Sequence, residues 1–371
     1  MHRIRRLAFA ASLAACALVW AAPASASDAG PQGSAVYTLT NSSSGNAVAV
    51  FDRAPTGRLT PNGTVPTGGT GSGAGLGSQG ALVLEGNRLF AVNAGSNTIS
   101  ALRVSGDGVR LTDVASSRGA NPISLTVHGR LLYVLNAGNA TTPASIHGFL
   151  ALFGELIPLP GSNRPLSAAA PGPAQIEFTP NGRQLVVTEK ETNRIVTYRV
   201  GLFGYAGSPN AQPSAGETPF GFAFDPLGRL IVSEAFGGAP DASVVSSYRV
   251  ASNGTIAAID PNVATTETAA CWVVVTSNGR YAYATNTGSN SVSGYEIETD
   301  GGLTLLDADG RTGVTGAGPI DAALSHGSRF LYTLNDGADE IQGFRVAADG
   351  SLDSLGAVGG LPSSSVGLAA R

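Results

Sequence analysis

The sequence predicts an all-β chain folded as a seven-bladed β-propeller with four antiparallel strands per blade. Three observations carry that expectation: a short-strand unit that recurs along the chain, its near-regular spacing, and two chain ends that read as complementary parts of one unit. The clearest copy is GPAQIEFTPNGRQLVVTEKETNRIVTYRV, residues 172–200. Gln175–Thr179 is a short apolar strand, Pro180-Asn181-Gly182 a tight turn, Gln184–Thr188 the return strand and Arg194–Val200 a third. β-Branched and aromatic residues in near alternation, punctuated by Gly, Asn and Pro, are what a half-buried strand and its turns require.

Aligned on the second strand, the copies read VYTLTN (36–41), LFAVNAG (89–95), LYVLNAG (132–138), LVVTEKE (185–191), LIVSEAF (230–236), AYATNTG (282–288) and LYTLNDG (331–337). The residue closing each strand is Asn41, Asn93, Asn136, Glu189, Glu234, Asn286 or Asn335, at spacings of 52, 43, 53, 45, 52 and 49 residues. A period of that length filled with short strands marks propeller blades. Asp107-Gly108, Asn253-Gly254, Asp300-Gly301 and Asp349-Gly350 add a second hairpin turn and hence a fourth strand. The chain begins on a second strand, Val36–Thr40, and ends on Ser365–Ala369, which reads as a first strand without successors. The C-terminal strand is therefore expected to join the N-terminal blade and close the ring, which removes the exposed sheet edge. Thr60–Ser78, rich in Gly, and Leu159–Pro171, rich in Pro and Ala, fall between blades and read as surface loops.

The first residues read as a targeting segment. Arg3, Arg5 and Arg6 precede the apolar run Leu7–Ala22, and Ala24-Ser25-Ala26 fits a cleavage site, so residues 1–26 are expected to be a signal peptide and 27–371 one propeller domain. Export to the periplasm or the exterior follows. Leu13-Ala14-Ala15-Cys16 also resembles a lipoprotein box, which leaves lipid anchoring through Cys16 as the alternative. No later stretch is apolar enough for a transmembrane helix. Residues 27–371 carry 19 basic and 26 acidic residues, a net charge of −7, which excludes a basic nucleic-acid footprint. Only Cys271 remains after cleavage, so no internal disulfide forms.

In such a blade the start of strand one and the end of strand two share a face, here called the top, and gather around the central channel. Gln79, Ile123, Gln175, Phe220, Cys271-Trp272, Asp321 and Val366 start the first strands. With the seven strand-two ends they predict a collar of amides carrying two adjacent-blade carboxylates, Glu189 and Glu234. These two are the candidate catalytic groups. Gln175, Asn136, Phe220, Trp272, Asn286, Asp321 and Asn335 are the candidate ligand contacts. A repeated Asn after a strand equally caps its own turn, and Cys271 without a basic neighbour reads as an inert buried thiol. His128 and His326 fall at bottom turns and His147 in a third strand, so neither a Ser/His/Asp triad nor a His-rich metal site has a candidate. The carboxylates and amides are oxygen donors of the kind Ca²⁺ takes; their spacing does not demand it, and no metal or cofactor is assigned.

Two units, residues 172–200 and ACWVVVTSNGRYAYATNTGSNSVSGYEI (270–297), resemble the lactonase family of seven-bladed propellers, which includes the 6-phosphogluconolactonase type and proteins labelled carboxymuconate cyclases. Family lactonases carry Gly-Pro-Arg-His at the first strand matching this blade and a Glu after the second. Gly172, Pro173 and Glu189 match that pattern; Ala174 stands where Arg would be and Gln175 where His would be. A further family His follows a Pro in a neighbouring first strand, and Pro122-Ile123-Ser124 lacks it. The resemblance thus implies hydrolysis of a lactone, unphosphorylated because the Arg is missing, with water activated by Glu189 and the site at the top mouth. The alternative is a non-catalytic propeller that binds a small ligand or a protein on its top face.

Overall fold

The computed structural model describes residues 34–371, and in it seven antiparallel sheets succeed one another along the chain. The expected signal peptide, its cleavage site and Cys16 lie outside the described residues. Blade 4 shows the plan: Pro173–Phe178 innermost, then Gln184–Glu189, Arg194–Arg199 and Asn210–Pro213. Blade 1 is the composite one. Its inner strand is Val366–Ala370, paired antiparallel with Ala35–Leu39 through Val36↔Ala370 and Tyr37↔Ala369. Arg371 N–H donates to the Ala35 carbonyl, and the Arg53 guanidinium donates to the Arg371 carbonyl at 2.8 Å. The ring is closed by the C-terminal strand, as expected.

Strand two is the most buried of each blade because apolar neighbours flank it on both faces; Gln184–Glu189, Tyr281–Asn286 and Phe330–Asn335 are buried throughout. Large aromatics fill the wedge between blades. Tyr133, Tyr283 and Tyr332 sit in second strands, fully buried, and each donates its hydroxyl to a Gly carbonyl in the outer hairpin of the next blade: Gly204, Gly350 and Gly57, at 2.7–2.8 Å. One side chain therefore supplies apolar area and spends its polar end on the neighbour, which locks adjacent blades in register.

Two expectations change here. The start of strand one, expected to lie level with the end of strand two, is offset by a bulge: Pro173 faces Glu189 and Gln175 faces Thr188. The same break recurs in blades 3, 5, 6 and 7, and it re-aims the side chains at the start of each inner strand. Second, the two interblade segments are not plain surface loops. Leu59–Pro66 is the outer strand of blade 1, and the following segment crosses the top of the ring; Arg164–Pro165 forms a bridge to Ser145 and Ile146. Gly71 permits the crossing, since a Cβ there would stand 2.1 Å from the Asn41 carbonyl.

Candidate functional site

The top mouth is closed by side chains and by the crossing segment. Trp272 and Phe220 pack with their ring centroids 5.0 Å apart, and Ala174 and Cys271 complete a buried apolar cluster. The Trp272 indole N–H donates to the Ser78 carbonyl at 3.0 Å. Gln79 N–H donates to the Ala174 carbonyl, and the Gln79 side chain reaches blade 6 with both ends, Nε2 to the Val273 carbonyl and Oε1 from the Val273 N–H. Lys190 lies over Phe220, Nζ 4.5 Å from the ring centroid, and donates to the Gly77 carbonyl at 2.7 Å. Burial lowers the Lys190 pKa against the opposing pull of Cys271 and Glu191. Burial likewise pushes the Cys271 thiol up to about 11. Ala174 is thus built into this plug, and Gln175 lines the cavity beneath it. Gln175 Oε1 accepts from the Phe222 N–H and its Nε2 donates to the Phe222 carbonyl and to Glu177 Oε2 at 3.0 Å.

The strand-two residues do not form an open collar. All seven, Glu189 and Glu234 among them, are 0% exposed. Glu189 accepts from the Ser167 N–H, the Ser167 hydroxyl and the Thr192 hydroxyl. Glu234 accepts from Ser214, Ser246 and Tyr248. Asn93 is held by Asn46, Thr67, Thr98 and Ser100, Asn286 by Ser291 and Ser293, Asn335 by Glu340 and Asn136 by the Ser117 carbonyl. Each side chain ties a second strand to nearby strand and loop residues, in the inter-blade wall and off the channel. The repeated position needs a polar group with several hydrogen-bonding sites, and Glu serves where the neighbours are hydroxyl donors.

Open space lies beneath the plug. A central cavity of about 370 Å³ has Gln79, Gln175 and Asp321 towards its top and Glu85, His128, Thr179 and Pro180 at its lower end, where His128 and Pro180 are exposed. Two of its carboxyl groups are shifted towards neutrality. Burial raises Glu177 to about 8. Asp321 is 2% exposed and raised well above the ordinary range, first by burial, although Oδ1 accepts the Ala322 N–H; Oδ2 has no hydrogen-bond partner. Among the described residues, the lining of this cavity includes no Lys or Arg. Of the sequence candidates, Gln175 and Asp321 meet in this cavity, Phe220 and Trp272 meet in the plug, and Asn136, Asn286, Asn335, Glu189 and Glu234 stay in the walls. Sequence reasoning missed Glu177, Glu85, His128 and Lys190. Strand alternation held the signal for Glu177, which shares a face with Gln175; nothing local marked Lys190.

The family model described as Lactonase, 7-bladed beta-propeller, matches residues 245–364. No curated protein matches the chain. Among solved structures, a Bacteroides fragilis protein provisionally assigned as a 6-phosphogluconolactonase is 19% identical at a TM-score of 0.70, over 94% of this chain and 99% of that one. A Lactobacillus plantarum protein is 18% identical at 0.73, over 91% and 99%. The Pseudomonas aeruginosa periplasmic gluconolactonase PpgL is 17% identical at 0.69, over 89% and 98%. At such identities the structures establish the shared fold. The chain is a seven-bladed propeller whose C-terminal third is similar to the lactonase propeller family, and the common fold extends over nearly its whole length.

Proposed function

We propose that the chain hydrolyses an unphosphorylated, sugar-type lactone, and that the reaction takes place in the channel cavity beneath the plug, away from Glu189. The observation that carries this reading is that Glu177 and Asp321, two carboxyl groups of raised pKa, line one cavity together with the Gln79 and Gln175 amides and, among the described residues, with no Lys or Arg. A cavity of about 370 Å³ accommodates a single sugar ring. Its amide and carboxyl lining suits hydroxyl groups and, among the described residues, supplies no Lys or Arg to pair with a phosphate dianion. In the reaction, water attacks the lactone carbonyl carbon, the bond to the ring oxygen breaks, and the leaving oxygen takes up a proton. Asp321 in its ionised form receives the proton of the attacking water on Oδ2, so its raised pKa sets the acidic limb of the rate profile. Glu177, still protonated near neutrality, protonates the leaving oxygen. Glu189 and Glu234 hold the walls that position these groups.

The test is a pH-stat assay of the chain from Ser27 onward against neutral aldonolactones and their phosphorylated counterparts. Glu177→Gln and Asp321→Asn are each expected to lower kcat by about 10²-fold or more. The wild-type profile is expected to fall on the alkaline side through about pH 8, as Glu177 loses its proton. Preference for a phosphorylated lactone, or wild-type rates in both variants, would overturn the reading.

A further inference from the structure

The bottom face carries a second feature, at the rim of blades 2 to 4. The hairpin between the third and fourth strands of blade 3 is built on Leu152-Phe153-Gly154, and the equivalent hairpin of blade 4 on Leu202-Phe203-Gly204. The same tripeptide thus occupies the same turn in two adjacent blades. Phe153 is 104% exposed, Leu202 102% and Phe203 85%. Phe153 also has φ 53°, a left-handed conformation that bulky side chains avoid. The turn accepts that strain and gains no contact within the chain for the ring. Leu227, 77% exposed, lies at the bottom turn of neighbouring blade 5.

Positive charge surrounds these tips. Arg103, Arg110, Arg130, Arg183 and Arg199 are exposed along the bottom edge of the same blades, against three exposed acids, Glu85, Asp107 and Glu155. The chain as a whole has a net charge of −4, so this local excess runs against its balance. Phe153, Arg88, Arg103 and Arg110 line one groove of about 380 Å³ between blades 2 and 3. Arg88 spends its guanidinium on the Gly129 and Ala151 carbonyls, which fixes the base of the Phe153 hairpin. Arg103 and Arg110 make no ion pair among the described residues.

We propose that this rim docks on an anionic phospholipid surface, with Phe153, Leu202 and Phe203 inserted below the headgroups and Arg103 and Arg110 on lipid phosphates. Isolated apolar tips that project from a face suit a deformable bilayer, and the Arg excess suits anionic headgroups. A second copy of the chain would bring the same positive edge against itself. The inference does not depend on the lactone reading, although the channel opens on the same face.

Vesicle co-flotation of the chain from Ser27 onward, which contains every strand of the ring, tests it. Vesicles of phosphatidylcholine alone are compared with vesicles containing about 30% phosphatidylglycerol. Binding is expected on the anionic vesicles, at least about tenfold weaker on the neutral ones, and weakened by salt. The triple variant F153S/L202S/F203S is expected to lose about tenfold or more while keeping its wild-type melting temperature and its rate on soluble lactones. R103Q/R110Q is expected to weaken binding and flatten its salt dependence. Equal flotation of wild type and triple variant overturns the proposal. So does failure of the wild type to bind anionic vesicles, whether it dimerises through this rim in sedimentation or captures an acidic protein instead.

Discussion

Replacing Glu234 by Gln separates a structural carboxylate from a chemical one. Glu234 is fully buried and pairs with no cation among the described residues. Its charge is held by three hydroxyls: Tyr248 at 2.5 Å and Ser214 at 2.7 Å on Oε1, and Ser246 at 2.5 Å on Oε2. The Tyr248 phenol is raised first by burial and then by the Glu234 charge, so it remains a donor. In the Gln variant one carboxylate oxygen becomes an NH₂ group facing hydroxyls that donated to it. A charge-assisted bond contributes about 1.5–3 kcal/mol, and the bonds that survive fall to the neutral value of about 1 kcal/mol. Relief of burying a charge offsets part of the loss, leaving a net cost of about 3 kcal/mol. For a chain of this length that corresponds to a fall in Tm of about 4 °C. The assay is thermal unfolding followed by circular dichroism, with lactone hydrolysis measured on the same samples. A variant that melts within about 1 °C of wild type yet has lost hydrolysis would refute the structural assignment and return Glu234 to the reaction.

Trp272→Ala removes the centre of the plug and leaves the Ser78 carbonyl without its indole donor; a cost of about 3–5 kcal/mol is expected, read as a lower Tm and faster amide exchange over residues 76–80. Glu177→Gln has a stability signature with a defined sign. The folded-state pKa of about 8 lies above the ordinary 4.5, so the wild type bears no ionisation cost below about pH 4.5 and loses stability as pH rises through 8. The variant should match wild type at about pH 4 and exceed it by a few degrees in Tm at about pH 9; a constant difference across that range would contradict the shift. Cys271 is buried with its thiol raised to about 11, so iodoacetamide at about pH 8 should label it at least about 100-fold faster in denaturant than in the folded protein, measured by mass spectrometry.

The repeat made the architecture legible because blade construction is local. Each unit needs alternating apolar residues, a turn with Gly or Asn and a polar residue at the end of strand two, and all of these occur within about fifty residues. Ring closure was legible too, because an unpaired second strand at one end and an orphan first strand at the other have one economical solution. The candidate site was legible only in its membership. Gln175, Phe220, Trp272 and Asp321 start inner strands, but what each side chain meets depends on the side of the backbone it faces, and the bulge at the start of the inner strands alters that.

By itself, the sequence determined seven four-stranded blades and the closing strand. Only the tertiary structure decided that Ala174 belongs to a plug with Phe220 and Trp272, that Gln175 lines the cavity beneath it, and that Glu189 and Glu234 are saturated inside the walls. Only it placed Glu177 and Asp321 in the cavity that remains. The physical reason is distance along the chain. Trp272 meets Ser78, and Gln79 meets Val273, across the ring. Contacts between residues nearly two hundred positions apart leave no period or spacing to read, and they set which carboxyl groups are buried with donors and which are buried without.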